Sequence, residues 1–182
     1  MHYYNKYNEL GALHHDWYFK KKIPWYKEIV DVCVNRAVGR TALDLGCGDG
    51  LVSKLLLQKG FLVTGIDNNK KGLKLAKELA PKGDYIVADL DNYSSAWVYD
   101  YMICLNVIEH IENPKNIVEI FRNSILSKGI IITDKKIEGQ GIRRHHHQEF
   151  NIKELKELFK DFICKEIELK TPLFIALEVT KK

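Results

Sequence analysis

The chain has 182 residues and no run of about 18 apolar ones, so no segment reads as a membrane-crossing helix. Its first residues, MHYYNKYNEL, lack the apolar core of a secretory leader, and the expectation is a cytoplasmic protein with no membrane partner. Its four cysteines, Cys33, Cys47, Cys104 and Cys164, form no C-x-x-C pair. That excludes a zinc ribbon or a dithiol redox couple and predicts reduced, buried thiols. No G-x-x-x-x-G-K-[ST] occurs, which excludes a P-loop. A net charge of +4 falls short of a dedicated nucleic-acid binder, yet is compatible with an acidic substrate. No low-complexity segment or internal repeat interrupts the chain, and its length suits one domain with a substantial core.

From Thr41 onward, β-rich runs alternate with amphipathic segments. TALDL, FLVTGID, DYIVADL, YDYMICLNV and GIIITDKKI read as strands. Between and after them, GLVSKLLLQKG, KKGLKLAKELAPKG, KNIVEIFRNSIL and NIKELKELFKDF read as helices, the last with Asn151 as N-cap. Such alternation predicts an α/β fold, a mostly parallel sheet with helices on both faces. The closing runs CKEIELK and PLFIALEVTK have no helix between them, so they are expected to form an antiparallel hairpin. Residues 1–40 are rich in aromatics and include a helix opened by Pro24 and running towards Val38. They read as a flap on the sheet, with residues 41–182 as the main domain.

The stretch LDLGCGDG places Gly46, Gly48 and Gly50 between Asp44 and Asp49, directly after the first strand. A dinucleotide fingerprint requires G-x-G-x-x-G, but here the third position is Leu51, and carboxylates oppose a pyrophosphate. They suit a ligand carrying an ammonium and a sulfonium. Asp67 ends the second strand about 20 residues on, where a carboxylate can accept both ribose hydroxyls. Asp89, after the third, can accept from an exocyclic adenine amine. Glycine loop, ribose acid and adenine acid together describe S-adenosyl-L-methionine.

With these residues in place, the sequence resembles the class I SAM-dependent methyltransferases from about Thr41 to the end. LDLGCGDG is similar to their first motif, GIDNN to their ribose segment, ADL to their adenine segment and YDYMICLNVIEHIENP to their fourth-strand motif. The likeness is to the small-molecule group that includes the ubiquinone-pathway O-methyltransferases. It implies a Rossmann-like seven-stranded sheet with a C-terminal antiparallel hairpin. By position, Asp44, Gly46, Cys47 and Gly48 would hold the methionine part, Asp67 and Asn68 the ribose, and Asp89 and Leu90 the adenine. Asn106 would stand beside the sulfur.

Methyl transfer to a hydroxyl needs alignment and removal of a proton. Two loops offer bases: Glu109 and His110 after the fourth strand, and RRHHHQEF after the fifth. His146 is the first choice, because it stands four residues before Phe150, where relatives show H-x-x-[EF]-F. Glu109 and His110 could instead cap and orient the segment bearing Asn106. They also resemble part of a divalent-metal set found in some methyltransferases, but Asn106 stands where those families place a glutamate, so no metal is expected. Lys135, Lys136, Arg143 and Arg144 predict a positive rim suited to a small anionic methyl acceptor. Nucleic acid is the weaker alternative, and a SAM-binding regulator without turnover is another. The segment HHDWYFKKKIPWYKEIV is similar to an H-x-W-[FY] stretch before the core in many relatives, and Tyr3, Tyr4, Trp17, Tyr18 and Trp25 are candidates for a lid.

Overall fold

A computed structural model describes residues 14–182 of the chain. Two helices, α1 (His14–Lys20) and α2 (Pro24–Asn35), precede β1 (Thr41–Leu45). There follow α3 (Leu51–Gln58), β2 (Leu62–Asp67), α4 (Lys70–Leu79), β3 (Asp84–Val87) and β4 (Tyr99–Leu105). A short 3-10 turn (Ile108–His110) leads to α5 (Pro114–Ser124), β5 (Ile125–Asp134), α6 (Ile152–Leu158), β6 (Phe162–Ile167) and β7 (Phe174–Lys181). The seven strands form one sheet in the order β3-β2-β1-β4-β5-β7-β6. β7 is the antiparallel member, inserted between β5 and β6 and antiparallel to both.

Local chemistry accounts for the boundaries. Pro24 sits in the first turn of α2, where its missing N–H costs nothing. Asn69 caps α4 by accepting from the N–H groups of Lys71 and Gly72. Asn151 caps α6 as expected and forms a full capping box with Glu154. Several boundaries differ from the sequence reading, these among them. α2 stops at Asn35 rather than Val38, and β3 ends at Val87, so Asp89 and Leu90 lie in the turn that follows it. β5 begins at Ile125, directly from α5, so the run that reads as helix end is strand. Residues 168–173, not Thr171 and Pro172 alone, connect the hairpin strands.

Alternation along the strands sends side chains to two cores. Leu43 and Leu45 join Met102, Cys104 and the inner faces of α5 and α6, while Ala42, Tyr101 and Ile103 join α2 and α3. Helix α2 contributes Ile29, Val30 and Cys33, all fully buried, to that second core. Tyr18, Trp17 and Trp25 pack at its edge, whereas Tyr3 and Tyr4 lie outside the described residues. Cys33, Cys47 and Cys104 are buried free thiols, but Cys164 is only half-buried, because β6 is an edge strand with one face open. Among the described residues, no helix is long and apolar enough to cross a membrane.

Candidate functional site

The order of the sheet reverses between β1 and β4, and ligands of open α/β sheets bind beyond the carboxyl ends of strands at such a point. The glycine loop follows β1 there. Gly46 has φ +66° and Gly48 φ +52°, conformations that side chains with a Cβ rarely adopt. The Cβ of any residue replacing Gly46 would stand 2.2 Å from a methyl of Val107, so this glycine lets the loops after β1 and β4 touch. Asp44 is buried and its Oδ2 accepts the Ser53 hydroxyl at 2.7 Å. Burial pushes its pKa up to about 7, against that hydrogen bond, with Asp67 and Asp49 adding negative potential. Among the described residues, no cationic side chain pairs with this carboxyl. The Cys47 sulfur packs towards Gly65 on β2, away from the loop surface that its backbone forms.

Asp67 has both carboxylate oxygens engaged by backbone N–H groups. Its Oδ2 accepts the Gly48 N–H at 2.9 Å and its Oδ1 accepts the Asn69 N–H at 2.8 Å, so one carboxylate ties the glycine loop to the start of α4. Asn68 is exposed beside it. Asp89 is exposed and closes its own turn through the Asp91 N–H, and buried Leu90 is held by the Asn116 amide on its carbonyl. At the end of β4, Asn106 has φ +52°, and its Oδ1 is buried without a hydrogen-bond partner. A strained backbone and an orphaned acceptor coincide at this one position, as at sites shaped for a ligand. Acid oxygens, a bare loop and this acceptor fit the cofactor that the sequence describes.

The two candidate base loops are one site. The Glu109 carbonyl accepts the N–H of His147 at 2.8 Å, and the Gln148 amide donates to the Ile111 carbonyl at 2.7 Å. The rings of His110 and His146 meet edge to face with centroids 4.8 Å apart. Ligand atoms of Glu109, His110 and His146 all lie within 4.8 Å of one another. His110 Nδ1 lies 2.7 Å from the His145 carbonyl, which only accepts, so Nδ1 carries the hydrogen and neutral His110 has its lone pair on Nε2. Desolvation and the neighbouring imidazoles hold its pKa below the usual histidine value, although the residue is exposed. His146 is enclosed instead, Nδ1 at 2.9 Å from Glu149 and Nε2 at 3.5 Å from Asp134. Glu109 is fully buried, its Oε2 unpartnered, and burial pushes its pKa up to about 7.

The positive rim is thinner than the sequence suggests. Arg143 pairs with Asp134 at 3.1 Å and Lys136 with Glu154 at 2.6 Å, while Lys135 and Arg144 are exposed. Sequence reasoning missed Asp134 and Glu149 as members of the site. Both carried a signal: Asp134 ends β5 as Asp67 ends β2, and Glu149 follows His146 by three residues. It also left His15 and Tyr26 out of the site, although the two line a small cavity with Asp44, Gly46 and Asp49.

Residues 43–133, half of the chain, match the family model of a methyltransferase domain. A ubiquinone biosynthesis O-methyltransferase of Rickettsia typhi is 33% identical over 134 residues, covering 71% of this chain and 54% of that protein. The homonymous protein of Bordetella avium is 32% identical over 103 residues, covering 53% and 41%. This chain thus spans about half the length of the curated relatives it matches. Among solved structures, the magnesium protoporphyrin IX methyltransferase of Synechocystis with bound SAH superposes with TM-score 0.69 at 20% identity, covering 86% of this chain and 84% of that one. A S-adenosylmethionine-dependent methyltransferase of Clostridium acetobutylicum gives 0.73 at 14%, with 98% of each chain covered. At such identities the superpositions speak for the fold alone.

Proposed function

We propose, from the premise that this chain belongs to the class I SAM-dependent methyltransferases, that it methylates an oxygen of a small molecule at the junction of the loops after β4 and β5. The cofactor would supply an electrophilic methyl group on a sulfonium. Asp44 would hold its ammonium, Asp67 with Asn68 its ribose hydroxyls, and Asp89 with Leu90 its adenine. The backbone of Gly46, Cys47 and Gly48 would line its tail, and Asn106 would stand beside the sulfur. The Rickettsia and Bordetella relatives, named as O-methyltransferases, support an oxygen acceptor. Exposed Lys135 and Arg144 favour an anionic one.

One observation carries the choice of base: the His145 carbonyl fixes the hydrogen of His110 on Nδ1, leaving Nε2 able to take the acceptor's proton. Its lowered pKa keeps the ring unprotonated at neutral pH. His146, the first candidate on sequence, becomes its neighbour, held by Glu149 and Asp134. The expected result of His110→Ala is a roughly 10²- to 10⁴-fold lower kcat with unchanged S-adenosylhomocysteine affinity by calorimetry, and a smaller loss for His146→Ala. Full kcat in His110→Ala with loss in His146→Ala returns the role to His146.

A second reading rests on the same cluster. Glu109, His110 and His146 offer one carboxylate and two imidazoles to a divalent cation, and the unpartnered Glu109 Oε2 fits such a ligand. Chelator that abolishes activity, with recovery on adding back metal, selects this reading over a direct base.

A further inference from the structure

Helix α1 lies across the glycine loop. The Asp16 N–H donates to Asp49 Oδ2 at 2.8 Å, and the preceding residue, His15, lays its ring on Gly48. A Cβ added at Gly48 would stand 2.9 Å from His15 Cδ2 and 3.2 Å from Nε2. On its other side His15 Nδ1 is 2.6 Å from the Tyr26 hydroxyl, with the two rings stacked at 25°. Tyr26 is buried, which raises its pKa well above the ordinary value, so its hydroxyl keeps a proton that it can donate to Nδ1. With Tyr26 as the donor to Nδ1, the hydrogen of a neutral imidazole sits on Nε2, the ring nitrogen on the Gly48 side. Burial holds His15 neutral, its pKa down to about 4.

The cavity between these elements is lined by His15, Tyr26, Asp44, Gly46, Cys47 and Asp49 among others, and at about 20 Å³ has room for roughly one water. That is smaller than an amino-acid tail, so the elements around the cavity must open to admit one, and His15 is among the side chains that line its way. The tail bears two charges. Asp44 and Asp49 suit its ammonium and repel its carboxylate, and His15 is the one basic side chain among the described lining residues.

We propose that His15 is a cofactor-binding residue, its Nε2–H donating to the carboxylate of the cofactor's amino-acid tail, with Tyr26 a positioning residue that fixes the tautomer. The proposal rests on the SAM reading above, and binding of S-adenosylhomocysteine to the wild-type chain tests that reading separately. Calorimetry on the full chain compares S-adenosylhomocysteine, its decarboxylated analogue and 5′-methylthioadenosine, which lacks the whole tail. In His15→Ala, affinity for S-adenosylhomocysteine should fall about 10-fold or more, as for loss of one charge-assisted hydrogen bond, with the other two ligands unchanged. His15→Phe, which keeps a ring on Gly48 but no donor, should show the same selective loss and serves if the alanine variant does not fold. His15→Gln, which restores an N–H donor, should recover part of it, and Tyr26→Phe should lose less than His15→Ala. Equal weakening of all three ligands would mean that His15 only packs α1 in place. Tighter binding of S-adenosylhomocysteine would make the ring a plug, and no change would remove it from the site; each of these overturns the proposal.

Discussion

Replacing Asp67 by alanine separates two jobs that one carboxylate performs. In the free protein Asp67 accepts the N–H groups of Gly48, part-buried, and Asn69, exposed. Water readily replaces the second bond, so the cost falls mainly on the first. A hydrogen bond to a charged group contributes about 1.5–3 kcal/mol. For a chain of this size, 1 kcal/mol shifts Tm by roughly 2–4 °C, so Asp67→Ala should lower the Tm of the free protein by about 3–12 °C. Calorimetric titration with S-adenosylhomocysteine reads the second job. Each lost ribose hydroxyl bond of the same strength weakens binding by about 10- to 100-fold. Asp67→Asn distinguishes further: its single oxygen can serve Gly48 or Asn69, while its amide confronts the other N–H. It should therefore destabilise the free protein although it is nearly isosteric with aspartate. An unchanged Tm in both variants would refute the tethering of the glycine loop by Asp67, and unchanged affinity in a folded variant would remove the ribose assignment.

Asp44 predicts a pH dependence whose sign follows from its raised pKa. The free folded protein holds a proton on Asp44 between the ordinary carboxylate range and about pH 7, so this group's contribution to stability is present at the low end and lost as pH rises to 7. A cationic ligand group needs the ionised form. Affinity for S-adenosylhomocysteine, measured by calorimetry, should drop by up to about tenfold per pH unit below 7, with proton release on binding at pH 6. Asp44→Asn should bind weakly and without that slope; a slope that persists in Asp44→Asn rules Asp44 out as its source. At a distance from the site, Asn151→Ala removes the cap of α6 and should cost about 1 kcal/mol in urea unfolding, with S-adenosylhomocysteine affinity unchanged. A loss below a few tenths would mean that water caps α6 equally well.

Local pattern was sufficient for much of the fold. The runs TALDL and FLVTGID, the cap Asn151, the first-turn Pro24, and a final helix-free pair each express a preference of a few neighbouring residues, and the sheet with its hairpin follows from them. Strand-end acids were legible for the same reason, since a chain leaving a parallel strand must expose its next residues at the ligand-binding edge. Contacts made through space were not. Whether Asp67 touches Gly48, whether β7 or β6 runs against the sheet, and whether the loops bearing His110 and His146 are rivals or partners depend on how distant segments pack. The same holds for charge: Arg143 reads as free cation in sequence and is paired with Asp134 in the fold. Burial decides the rest, because Asp44 and Glu109 are ordinary carboxylates in an extended chain and acquire pKa values near 7 only when the sheet and its helices exclude water from them.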